Sequence, residues 1–90
     1  MTDYDDMAEF YDRPMKNPPE SPKQFNRYMV YRNLPKAERS VRRACEVLNE
    51  AGDEVAERTL VNSSQKFNWT ERVKAYDIFL ANLEIQVLET

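Results

Sequence analysis

A single glycine, Gly52, in ninety residues constrains this chain more than any other feature. Hairpin-rich β folds need residues at positive φ in their turns and runs of β-branched residues in their strands. This sequence supplies few of either. Helices need glycine mainly at their ends. The hydrophobic share of 41%, with 11% aromatic, supports one modest core, and ninety residues suit one small domain. The expected fold is all-α: a small helix-turn-helix-type bundle of about four helices behind a mobile, acidic N-terminal tail.

Residues 1–20 form that tail. Asp3, Asp5, Asp6, Glu9 and Asp12 are acidic, and Pro14, Pro18 and Pro19 block a long helix. Tyr4, Met7, Phe10 and Tyr11 are spaced to make one amphipathic turn that docks on the domain or on a partner. A largely flexible tail is the favoured alternative. Residues 21–90 form the helical domain. Ser21-Pro22 reads as a cap followed by proline at the first helical position, opening a helix over 22–34. Pro35 breaks it. A second helix follows over 36–51, with Ala37, Val41, Ala44, Cys45, Leu48 and Ala51 as its apolar stripe. Gly52 ends it, and Asp53 is expected to cap a third helix over 54–67. Asn68, with Glu71 three residues on, has the pattern of a capping box for a fourth helix over 69–88.

The chain has no histidine and one cysteine. Ser/His and Cys/His nucleophilic catalysis is excluded within it, and a zinc site of nitrogen and sulfur ligands is nearly so. One glycine permits no glycine-rich phosphate loop. An enzyme is therefore not expected, nor a metal or a cofactor. One cysteine allows no internal disulfide. No apolar run approaches the ~18 residues of a membrane span, and no signal peptide opens the chain. The expected location is the cytoplasm, with no membrane partner.

The net charge of −3 hides a partition. Residues 22–48 carry seven bases and two acids, while the segments on either side are each net −4. A basic segment is the electrostatic footprint of nucleic-acid binding, although it also suits a solvated helix face. Arg39, Arg42, Arg43 and Glu46 recur at spacing that shares one face of the second helix, suited to phosphate contact. Arg58, Asn62 and Gln65 form the exposed stripe of the third. Arginine reads guanine, and asparagine or glutamine reads adenine, by paired hydrogen bonds in the major groove. Ser64 and Lys66 are placed to hold phosphate. Glu54 and Glu57 put negative charge at the same helix end. Val73, Tyr76, Leu80, Leu83 and Val87 alternate by three and four along the last helix. The stripe closes the core as far as residue 80. Leu83, Val87 and Leu88 extend past that core and are expected to meet another subunit.

The order of residues from Arg58 to Trp69, followed by Glu71-Arg72, Ala75-Tyr76-Asp77 and Leu80, resembles the DNA-binding region of small terminase subunits from tailed bacteriophages. Glu20 to Phe25, Tyr31-Arg32 and Arg39-Ser40-Val41 also resemble that family's first two helices, so the likeness spans about residues 20–80. The resemblance implies a phage DNA-packaging protein that binds double-stranded DNA, forms a homo-oligomer and regulates a large terminase subunit in the bacterial cytoplasm. It implies structural roles for Trp69, Arg72 and Tyr76. Arg58, Asn62, Ser64, Gln65 and Lys66 would lie on the recognition helix, and Arg39, Arg42 and Arg43 on the supporting helix. The alternative expectation is a small phage regulator. It would act as a transcription repressor, or as an inhibitor of a host protein through its acidic surfaces.

Overall fold

Ser21 begins the first helix with a reciprocal cap. Its hydroxyl accepts from the Gln24 N–H (3.1 Å), and the Gln24 side chain accepts from the Ser21 N–H (2.9 Å). Pro22 then occupies the first helical position, where its missing donor costs nothing. The resulting helix α1 runs Pro22–Asn33. Leu34 turns extended before Pro35, as a residue preceding proline must. In this computed structural model, which describes residues 10–89 with side chains as far as Ile85, three more helices follow. They are α2 (Val41–Glu50), α3 (Glu57–Lys66) and α4 (Trp69–Glu89), with a 3-10 turn at Lys36–Glu38 between α1 and α2. Among the described residues there is no strand, and no helix is long and apolar enough to cross a membrane.

Two helix starts and the expected cap of α4 differ from the sequence expectation, each for a local reason. The second helix starts at Val41 instead of residue 36, because the Ser40 hydroxyl accepts from the Arg43 N–H (3.0 Å) and caps it there. The third starts at Glu57 instead of residue 54. Asp53 does not cap it; its carboxylate is held by Arg27. Asn68 does not sit in the extended backbone of an N-cap. Its φ of 52° is left-handed, the conformation that ends α3 one residue past Phe67. Asparagine tolerates that region better than most residues. Gly52, at φ 98°, closes α2 in the same manner. The Asp53 N–H reaches back to the Leu48 carbonyl and the Gly52 N–H to that of Asn49, the two bonds of a Schellman end.

The core lies where the four helices meet. Tyr28 of α1, Ala44 and Leu48 of α2, Leu60 of α3, Phe67, and Trp69 and Val73 of α4 form one buried cluster. Burying each large apolar side chain contributes about 1.5–3 kcal/mol. The Trp69 ring packs on Tyr31 (centroids 5.2 Å apart) and Tyr28 (6.2 Å).

Residues 10–20 are not a free tail. Residues 10–12 are helical, and Tyr11 is buried against Tyr76 and Phe79. Side chains of the bundle grip the backbone of this segment. Tyr28 Oη donates to the Tyr11 carbonyl (2.7 Å), and Arg32 Nη1 donates to the same oxygen (3.0 Å). Arg72 Nε donates to Phe10 O (2.7 Å) and Nη2 to Arg13 O (3.0 Å). The docking alternative thus describes Phe10 and Tyr11. Tyr4, Met7 and the acids of residues 1–9 lie outside the described residues.

Candidate nucleic-acid interface

α2 and α3 are consecutive helices packed through Ala44, Leu48 and Leu60, joined by the turn at residues 51–56. Each shows a polar face to solvent. On α3, Leu60 and Phe67 point inward and are fully buried. On the opposite side Arg58, Asn62, Gln65 and Lys66 are all exposed. Their i, i+4, i+7 and i+8 spacing makes one continuous stripe. Neither Arg58 nor Lys66 forms an ion pair among the described residues. Lys66 instead lies 5.4 Å from the centre of the Phe67 ring. Ser64 differs from this group. It is half-buried and its hydroxyl donates to the Val61 carbonyl (2.7 Å), so its proton is not available to a phosphate.

Arg42 and Arg43 occupy the first turn of α2. The Arg42 side chain is 79% exposed and reaches Glu57 only at 3.8 Å. That contact brings it beside the start of α3. Arg43 pairs with Glu46 one turn along (3.1 Å). Such exposed pairs contribute at most about 1 kcal/mol and leave both guanidiniums able to exchange partners. Arg39, grouped with them by spacing, lies before the Ser40 cap and off the helix. Its guanidinium is bound by both Asp77 oxygens (2.9 and 3.3 Å) and donates to the Arg32 carbonyl (3.1 Å). With its side chain 11% exposed, Arg39 is a tie between α4 and the end of α1.

The turn before α3 is held from two sides. Arg27 of α1 donates from Nε and Nη2 to the two Asp53 oxygens, each at 2.8 Å. These hydrogen bonds lower the Asp53 carboxyl below its ordinary range and raise the Arg27 guanidinium, more than burial opposes. From α2, Asn49 accepts from the Val55 N–H (3.0 Å) and donates to its carbonyl (3.4 Å), to which Cys45 also donates (3.2 Å). These supports were not read from the sequence. Arg27 carries no motif of its own, and Asp53 before a helical pattern reads as a cap.

The expected association surface lies at the far end of α4. Leu83 is 38% exposed; Val87 and Leu88 have side chains outside the described residues. Ile78, Leu80 and Ile85 are exposed as well. Leu80 and Ala81 line a groove of about 440 Å³ with Leu34, Pro35, Lys36 and Glu84. The residues assigned structural roles lie nearer the core, and Tyr76 also lines this groove. Trp69 and Arg72 are buried, and Tyr76 is half-buried, with the Arg32 guanidinium 4.0 Å over its ring.

Together these features define a small helical bundle with one polar helix-pair face and one apolar helix end. Comparison with protein families, curated proteins and solved structures finds no match to the chain.

Proposed function

We propose that this chain is a helix-turn-helix DNA-binding protein that serves a phage DNA-packaging machine in the manner of a small terminase subunit. The observation that carries the reading is the stripe of Arg58, Asn62, Gln65 and Lys66, exposed together on α3. The stripe unites the side chains that read purine edges with one that contacts phosphate. Arg42 and Arg43 on α2 supply further phosphate contacts, as the first helix of such a pair crosses the backbone. Duplex DNA is the partner, and the chain acts without catalysis, cofactor or metal. It marks DNA for a large subunit in the host cytoplasm and does so as an oligomer. The exposed acids Glu46, Glu50, Glu54 and Glu57 support the rival reading, inhibition of a host protein through an acidic surface.

Equilibrium binding to duplex DNA at several salt concentrations separates the two. The expected result is binding whose logarithm falls linearly with the logarithm of salt. Arg42→Ala and Arg43→Ala each weaken it across all sequences and reduce the slope by about one. Asn62→Ala and Gln65→Ala cost about 1–3 kcal/mol on a preferred site and little elsewhere. A chain that ignores DNA but forms a salt-insensitive complex with a host protein belongs to the rival class.

A further inference from the structure

We infer that Asp53 and Asn49 are positioning residues that fix how α3 sits on α1 and α2, and through that orientation its choice of DNA sequence. The inference rests on the reading of α3 as the DNA-contacting helix. The turn at residues 51–56 is non-helical, and α3 begins at Glu57 without a side-chain cap. A turn of this length has no intrinsic stiffness to hold a following helix at one angle. Here it is pinned at two points. Asp53 is fixed through its backbone, by its N–H on the Leu48 carbonyl (2.8 Å), and through its carboxylate, by the paired bonds from Arg27. Both side chains of that pair are mostly buried, 12% and 17% exposed. Val55 is fixed two residues before α3 by Asn49, which takes its N–H and bonds its carbonyl. The two supports come from different helices, so α3 is referenced to both α1 and α2. Neutralised by Arg27, the Asp53 charge adds little to any repulsion of phosphate. Paired hydrogen bonds to base edges demand placement within a fraction of an ångström, whereas phosphate contacts tolerate looser geometry.

The test uses the full chain and three variants: Asp53→Asn, Asp53→Glu and Asn49→Ala. Residual dipolar couplings of backbone amides report the orientation of α3 relative to α2 without DNA. Binding is read on a 30-bp random-sequence duplex and on duplexes enriched by the native chain from a randomised pool. Asp53→Asn and Asn49→Ala are expected to give altered or averaged couplings in α3. Each also loses about tenfold in preference for the enriched duplexes, with affinity for the random duplex and its salt slope unchanged. Asp53→Glu, which keeps the paired acceptor, restores most of the preference. Native couplings in Asp53→Asn and Asn49→Ala overturn the inference, as does an undiminished preference. If the native chain binds no DNA, the reading of α3 fails while the couplings still decide whether these two residues orient it.

Discussion

Arg72 has no exposed surface, yet it carries a full charge. Its guanidinium lies 3.8 Å over the Tyr28 ring and donates to Glu20 Oε2 (3.1 Å), itself fully buried. Other donors go to the carbonyls of Phe10, Arg13 and Phe67. Removing one member of such a pair leaves an uncompensated buried charge. Arg72→Met is therefore expected to cost about 3–5 kcal/mol in urea unfolding. Adding Glu20→Leu should recover part of that loss, and the double-mutant cycle gives the coupling. Tyr28 supplies a pH signature at the same place. Burial pushes its phenol up to about 12, against the opposing pull of Arg72 and Arg32. The folded state thus holds a proton that the unfolded chain has already released above about pH 10. The stability tied to that proton is intact below about pH 10 and falls as pH rises toward 12, by roughly 1.4 kcal/mol per pH unit at most. Tyr28→Phe should flatten the alkaline limb of a stability-against-pH curve, at the cost of the bond to Tyr11 O.

The elements were legible where a cap and a stripe agree. Ser21-Pro22 and Pro35 bound α1 within a residue, and Gly52 ends α2 where an isolated glycine should. Sequence and structure part where one side chain has two possible partners. Asp53 fits a helix cap by sequence, but an arginine twenty-six residues earlier competes for its carboxylate, and that separation carries no periodic signal. Arg39 fits the arginine face because the spacing of three continues across Ser40. Ser40 is itself a cap residue and sets the helix start after it. The segment at residues 10–20 reads as tail because its prolines forbid a long helix, and nothing in its pattern foretells arginines gripping backbone carbonyls. Two predictions belong at this scale. Deleting residues 1–13 removes three carbonyl acceptors and the Tyr11 ring, whereas deleting residues 1–9 keeps them. Buried donors left unpaired cost about 1–3 kcal/mol each, so the longer deletion should melt roughly 10 °C or more below the shorter one. Arg39→Met should lower the melting temperature through the lost Asp77 tie. It should leave the salt slope of DNA binding unchanged, unlike Arg42→Ala.

At the scale of the whole molecule, the two candidate surfaces belong to different parts of the bundle. α3 carries the polar stripe, while the apolar residues that the core does not cover lie along the outer half of α4. Ile78 is 56% exposed and Ile85, two turns on, 53%. Leu80 and Leu83 lie on the opposite flank of the same helix, so this half presents apolar side chains in two directions. A helix with apolar residues on two sides buries them only between two neighbours, and large uncovered apolar patches are uncommon on lone subunits. Self-association through α4 would set several α3 stripes on one DNA, where linked weak contacts exceed any single one in strength. Light scattering should therefore give a mass that rises with concentration. Leu83→Glu and Ile85→Glu should each hold the chain at the monomer mass, and circular dichroism should show the helical content retained. Both variants should also bind a long duplex less tightly than the native chain while matching it on a duplex that accommodates one copy. A native chain that stays monomeric at high concentration, or an Ile85→Glu variant that associates unimpaired, rules out α4 as an association surface and leaves the proposed α3 face to act alone.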